Sequence, residues 1–230
     1  MKDYQPLLDK FAKGWASFFT GKVYSGIPTQ VEDYLATYWL DMQELNQVWI
    51  PIRNKVFPGG CLSFPDNMFP NDFNTMLRVG GSAIHSEEYL KCLQQCMEAA
   101  GDHFFVVIED HIQKGDKSSV LVGSDRTPWP AFRFKYPVSV SFKQIMNGEY
   151  LSEEVLRMGD RDYFIFGDTG SWGIYAGDDV LWSLHIIGCQ KGLSDTFNRN
   201  FPAGKLEKQI PGSLKNVMDN IRRLKENQSQ

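Results

Sequence analysis

The sequence has few cysteines, no long apolar run and no excess of basic charge. Its four cysteines lack paired spacing, which excludes a small disulfide-stapled secreted domain and predicts reduced thiols. No run of about 18 apolar residues indicates a spanning helix, and the first residues lack the pattern of a signal peptide. A net charge of -4 argues against binding nucleic acid through its phosphates. We therefore expect a cytosolic protein that binds neither membrane nor nucleic acid.

The chain is long and apolar enough to build a substantial core. Hydrophobic residues make up 42% of its 230 residues, which excludes disorder over most of the length. Helical patterns occur in clusters and strand patterns occur in clusters, without sustained alternation of the two. This arrangement predicts an α+β fold with a mostly antiparallel sheet flanked by helices. We expect one domain over residues 1–230, with residues 1–57 as an alternative helical N-terminal subdomain.

Two amphipathic helices are predicted in the N-terminal quarter. Apolar residues recur at helical spacing over residues 7–19, and Gly21 ends the pattern. A second helix begins at a capping box formed by Thr29 and Glu32 and extends to Pro51, about six turns in all.

Three later helices have clear start signals. Ser86 caps a helix that Gly101 ends, and Ser141 with Gln144 forms another capping box. A final helix begins at Ser213 and carries apolar residues on one side and basic residues on the other. A third functional hypothesis uses this last helix for oligomerisation.

Strand patterns dominate the region between and after these helices. Residues 104–108 are apolar without alternation, which predicts a strand buried on both faces at the centre of the sheet. Residues 132–136 alternate and predict a half-exposed edge strand. Residues 162–189 predict a three-stranded meander, in which the glycines of residues 167–173 form a hairpin turn.

The meander is the predicted binding region. Between Gly148 and Val180 the chain has eight acidic and two basic residues, and aromatic residues lie beside the turns. Aromatic side chains anchor protein interfaces and charge selects the partner. The predicted partner-binding residues are Asp168, Trp172, Tyr175, Asp178, Asp179 and Trp182.

Motifs of several enzyme classes are incomplete in this chain. Residues 167–173 lack the lysine and the following helix of a phosphate-binding loop. The triplet Asp168-Thr169-Gly170 has no second copy, which an aspartic protease needs within one chain. Cys92 and Cys96 have no matching pair of ligands for zinc, and no Gly-x-Ser-x-Gly motif occurs. We predict no catalytic residues and no cofactor.

One alternative function is enzymatic. Glu109 and His111 follow the apolar strand at residues 104–108 and would point to the same side of it. Rigid strand ends often position catalytic or metal-binding groups, so the alternative function is a hydrolase or metal-dependent enzyme centred on these two residues.

The meander also carries a family resemblance. The run from Tyr163 to Tyr175, which contains Gly167-Asp168-Thr169-Gly170, and the later Leu184-His185-Ile186-Ile187-Gly188 resemble the strand-turn-strand signature of the bacterial SUKH superfamily and related immunity proteins. In that superfamily these segments form part of a sheet flanked by helices. The resemblance extends over residues 135–200. It implies a cytosolic bacterial protein that neutralises a toxin, often a basic nuclease, and acidic residues would speed encounter with such a partner.

Overall fold

The computed structural model describes residues 4–12, 15–16, 23–24, 29–58, 68–79, 86–109, 133–147, 163–179 and 182–201. The predicted final helix from Ser213 lies outside these residues. The described helices are α1 (Gln5–Ala12), α2 (Thr29–Tyr38), α3 (Met42–Glu44), α4 (Ile50–Val56), α5 (Glu87–Ala100), α6 (Phe142–Asn147) and α7 (Ser194–Asn200), with a π-helical turn at Leu45–Trp49 and a 3₁₀ turn at Lys191–Leu193. Among them, none is long and apolar enough to cross a bilayer.

The strands form a two-stranded ribbon and a six-stranded sheet. They are β1 (Trp15–Ala16), β2 (Val23–Tyr24), β3 (Phe73–Val79), β4 (Phe104–Glu109), β5 (Arg133–Pro137), β6 (Tyr163–Gly167), β7 (Trp172–Asp179) and β8 (Trp182–Gln190). β1 pairs with β2, and the large sheet has the order β3-β8-β7-β6-β4-β5 with antiparallel pairing throughout. The α+β fold and the meander β6-β7-β8 are therefore confirmed.

The position of β4 differs from the prediction. β4 is buried from Phe105 to Glu109 as its apolar sequence indicates, but it lies between β6 and the edge strand β5. Its burial comes from cover on both faces, and a strand next to the edge can be covered as fully as a central one. The expectation of a central strand is wrong, whereas the predicted edge position of β5 is confirmed. The expectation that β5 is half-exposed is wrong, because Arg133, Phe134 and Tyr136 are buried and so both of its faces are covered.

Helices cover both faces of the large sheet. The front face, which includes Phe105, Ile174 and Ile187, packs in one core with residues of α1, α2, α5, α6 and α7. The back face, which includes Val106 and Phe164, packs in a second core with residues of the π-helical turn and α4. Because both faces are covered, strand residues that alternate in direction are buried on either side.

The second predicted helix is interrupted by contacts with the sheet. α2 ends at Tyr38, because Trp39 forms an isolated antiparallel bridge with Phe134. The Leu40 N–H donates to the Arg133 carbonyl at 3.1 Å, and Arg133 Nε donates to the Leu40 carbonyl at 2.7 Å. Backbone groups that would continue the helix are thus bonded to β5.

Two other predicted boundaries are also wrong. α1 ends at Ala12, and Trp15 and Ala16 then form β1 where the prediction continued the helix to residue 19. Pro51 does not end a helix but lies in the first turn of α4. α4 follows the π-helical turn without a gap, and the Ile50 N–H donates to the Leu45 carbonyl, so Pro51 lies within a continuous helical run whose hydrogen-bond pattern changes at this point.

The predicted caps of the later helices are confirmed. The Ser86 hydroxyl accepts a hydrogen bond from the Tyr89 N–H at 3.3 Å, and Gly101 follows α5 in the left-handed conformation. At α6 the Ser141 hydroxyl accepts from the Gln144 N–H at 3.2 Å, and the Gln144 side chain accepts from the Ser141 N–H at 2.8 Å. This reciprocal pair is a complete capping box.

Candidate functional site

The turn between β6 and β7 is bonded to the start of β4. The Asp168 carboxylate accepts hydrogen bonds from the N–H groups of His103, at 3.1 Å, and Phe104, at 3.3 Å. The Asp168 N–H in turn donates to the Phe104 carbonyl at 3.0 Å. The Asp168 side chain keeps 27% of its surface exposed, and the His103 imidazole is 84% exposed. Asp168 therefore both holds the turn and remains accessible to a partner.

A buried carboxyl group lies beneath the same turn. Asp102 accepts hydrogen bonds from the Trp172 indole N–H at 2.5 Å, the Thr169 N–H at 2.9 Å and the Thr169 hydroxyl at 2.7 Å. Burial raises the pKa of Asp102; the bonds from Trp172 and Thr169 oppose this rise, and the Asp168 side chain adds to it. Three donors thus compensate for the removal of this carboxyl group from water.

Asp102 also explains one glycine of the turn, and backbone conformation explains another. A Cβ atom at Gly167 would overlap the Asp102 carboxyl group, and Gly170 has a φ of 61°, in the left-handed region. Sequence reasoning missed Asp102, since it lies 67 residues before its partner Thr169. The only local signal was its position directly after the helix-ending Gly101. We interpret the Gly-Asp-Thr-Gly-Ser-Trp run primarily as a scaffold around Asp102.

Trp172 and Tyr175 do not lie on the surface. Their relative exposures are 0% and 3%. Trp172 points to the front face, where its ring lies 5.9 Å from that of Phe197 on α7. Tyr175 points to the back face and lies 5.3 Å from the ring of Phe164. The expectation that these two rings are displayed to a partner is wrong, because helices cover both sides of β7.

The other predicted binding residues lie at the far end of the hairpin β7-β8. Asp178 pairs with Ser183 and Asp179 pairs with Trp182 in the backbone register. Asp178, Asp179 and Trp182 are therefore at the opposite end of β7 from Asp168. Their partner-binding role stays a prediction, but the structure does not bring all six predicted residues into one surface.

An accessible apolar surface lies beside Asp168 instead. Phe104 is 39% exposed, and the Lys135 ammonium lies 4.7 Å from the centre of its ring. Lys135 also forms an ion pair with Glu44 at 2.7 Å. Val48, one helical turn after Glu44, is 45% exposed. We call the set Glu44, Val48, His103, Phe104, Lys135 and Asp168 the Phe104 surface.

The geometry of the Phe104 surface is held by several contacts. The Glu44 carboxylate accepts from the Trp49 indole N–H at 3.1 Å as well as from Lys135. Trp49 is itself buried in the back-face core, so Glu44 is held by a fixed group. A surface whose side chains are already ordered loses less conformational entropy when a partner binds. Sequence reasoning missed the Phe104 surface because Phe104 is the first residue of a strand that is otherwise buried.

The residues proposed for chemistry are only partly described. Glu109 is 1% exposed and lies on the front face at the end of β4, whereas His111 lies outside the described residues. Within the described part of the chain, no group of three His, Cys, Asp or Glu residues could hold a metal ion. Cys96 is buried, and burial raises its thiol pKa to about 12. The enzyme alternative stays a prediction.

Comparisons of the chain with protein-family models, with curated proteins and with solved structures found no match. The resemblance to the SUKH superfamily stays a prediction, which the confirmed meander neither establishes nor excludes.

Proposed function

We propose that the chain is a non-catalytic protein-binding domain that contacts its partner through the Phe104 surface. The observation that carries this proposal is the exposed aromatic ring of Phe104, adjacent to Asp168 and held in place by ordered neighbours. Aromatic residues at the centre of an interface contribute much of its binding free energy. Phe104 and Val48 supply apolar area, and the charged residues around them supply a polar rim.

The partner class we propose is a basic toxin domain. The resemblance of residues 163–188 to SUKH proteins supports a toxin, and the acidic residues between Gly148 and Val180 favour a basic one. Opposite charge raises the rate of encounter between two proteins. In this proposal the chain blocks the toxin by covering its working surface.

Site-specific crosslinking tests the location of the binding surface. A photo-crosslinking amino acid at position 104 should capture a discrete protein in cells that express the chain. The same amino acid at Gln95, an exposed position on α5, should not, because α5 covers the opposite face of the sheet. Equal capture at both positions would contradict the proposed surface.

The captured protein then allows a quantitative test. Replacing Phe104 with Ala should weaken binding by about tenfold or more, the effect expected for an aromatic anchor. Gln95→Ala should leave the affinity within about twofold, a change of about 0.4 kcal/mol. If both variants bind equally well, Phe104 is not an anchor. If the captured protein is harmless when produced alone, the toxin part of the proposal is wrong and the protein-binding part stands.

A further inference from the structure

One row of front-face residues differs in polarity from its neighbours. The strand register aligns five residues across β4, β6, β7, β8 and β3, and these are Glu109, Tyr163, Ala176, His185 and Arg78. The next row on the same face consists of Val107, Ile165, Ile174, Ile187 and Met76. Four of the five residues in the first row are polar, and none in the second row is. Arg78 is half-buried and the other four residues of the row are buried, and buried polar groups need hydrogen-bond partners.

Two polar atoms at this row lack such partners. The Tyr89 hydroxyl, on α5 above the row, and Nδ1 of His185 are buried without a hydrogen bond among the described residues. His185 is only 2% exposed. Leaving a buried polar group unsatisfied is unfavourable, and in native proteins such a group usually bonds to a water or a ligand. The two atoms thus indicate a binding partner within the row.

Arg78, His185 and Tyr89 come together at one end of the row. Arg78 and His185 are directly opposite each other on β3 and β8, a position in which side chains on one face are in contact range. The Tyr89 ring lies edge-on to the His185 ring, with centroids 5.1 Å apart. The Tyr89 ring also packs against that of Phe201, with centroids 4.8 Å apart, and Arg78 Nε donates to the Phe201 carbonyl. Burial raises the pKa of the Tyr89 phenol, and the positive charge of Arg78 opposes that rise.

Contacts with described residues hold the guanidinium of Arg78 in place. Its Nε donates to the Phe201 carbonyl, and one of its terminal nitrogens lies 3.6 Å from the Met76 sulfur. The site therefore combines a fixed positive charge, a phenol O–H donor and an imidazole nitrogen that can donate in one tautomer.

We propose that Arg78, Tyr89 and His185 form a binding site for a small anion, a carboxylate or a phosphoryl group. Arg78 supplies the charge, and Tyr89 and His185 supply polar atoms that have no hydrogen bond within the described part of the chain. The Glu109 carboxylate does not oppose this binding, because four strand spacings of about 4.8 Å separate it from Arg78, or about 19 Å. This site is separate from the Phe104 surface and independent of the function proposed for it.

Histidine NMR on the full chain provides the test. The chain has four histidines, and the signal absent from the His185→Gln spectrum identifies the His185 imidazole. Titration with acetate in one arm and inorganic phosphate in the other should shift this signal saturably in at least one arm, and that arm identifies the ligand class. Chloride at the same ionic strength should leave it unchanged. The proposal is wrong if neither anion shifts the signal, or if chloride shifts it equally.

Two matched variants test which hydroxyl binds the anion. Tyr89→Phe removes a hydroxyl at the site and should weaken anion binding about tenfold or more, as expected for a hydrogen bond to a charged group. Tyr163→Phe removes a hydroxyl in the same row on the other side of Ala176 and should leave the affinity within about twofold. Equal effects of the two variants, or no effect of either, would overturn the assignment. Both variants keep the ring and so preserve the packing, which the remaining histidine signals can confirm.

Discussion

Lowering the pH should destabilise the fold through His185. This imidazole is 2% exposed, and burial lowers its pKa to about 4. Its neighbours are Arg78 on the adjacent strand and the ring of Tyr89 on α5, neither of which offers negative charge to an imidazolium. The unfolded chain, in contrast, exposes the imidazole to water, where its pKa is about 6.5.

The sign and size of the effect follow from this difference. Between pH 6.5 and pH 4 the unfolded chain carries a proton on His185 and the folded chain does not, so acid favours unfolding. The stabilisation is fully present above about pH 6.5 and is lost as the pH falls to about 4, at about 1.4 kcal/mol per pH unit. The full loss is about 3 kcal/mol. The free energy of unfolding of a typical domain is about 5–15 kcal/mol, so this loss is about a third of a mid-range value.

Urea unfolding followed by tryptophan fluorescence measures this loss. The free energy of unfolding is compared between the native chain and His185→Gln from pH 7 to pH 4.5, in buffers without carboxylates or phosphate so that no anion occupies the proposed site. Subtracting the two profiles removes the titration of the carboxyl groups they share. The difference should change by about 2 kcal/mol or more over this range. A flat difference for His185→Gln would refute the reasoning.

Three further predictions follow from the turn and the core. Gly167→Ala should lower the free energy of unfolding, measured by urea unfolding, by about 1–3 kcal/mol, because the new Cβ would overlap Asp102. Gly192→Ala is the control: no atom lies near its new Cβ, so the free energy of unfolding should change by less than about 0.5 kcal/mol. Trp172→Phe removes the indole N–H that donates to Asp102 and should lower the free energy of unfolding by about 1–3 kcal/mol. Loss of partner binding at unchanged stability would instead support a surface role for Trp172. Cys96 should react with iodoacetamide at pH 8 only at the rate of unfolding, since burial raises its thiol pKa to about 12; rapid labelling of the folded chain would contradict this.

Local chemistry predicted the later helices and the meander correctly. Ser86 and Ser141 start α5 and α6 with the hydrogen bonds that their hydroxyls favour, and Gly101 ends α5 in a conformation that favours glycine. The antiparallel meander follows from short strands, of which β6 and β7 are joined by a glycine-containing turn. In these segments the determining groups lie within a few residues of each other, so the sequence is sufficient.

The predicted helix through residues 29–49 failed because a distant segment competes for its backbone. Helical periodicity continues through Trp39, but the bridge to Phe134 and the bonds between Leu40 and Arg133 join residues about 93 positions apart. Nothing near Trp39 in the sequence indicates that β5 will lie beside it. Tertiary hydrogen bonds override local propensity where they satisfy the same backbone groups.

The site depended most on tertiary structure. The sequence determined by itself that β7 alternates in direction and that acids and aromatics cluster near its turns. Only the tertiary structure decided that helices cover both faces, which buries Trp172 and Tyr175 and leaves Phe104 as the exposed ring beside Asp168. The row that joins Arg78 to His185 likewise depends on register across several strands. The periodicity of a strand indicates which face of the sheet a residue is on. Whether that residue is buried depends on which elements pack against the face, and those elements come from distant parts of the sequence.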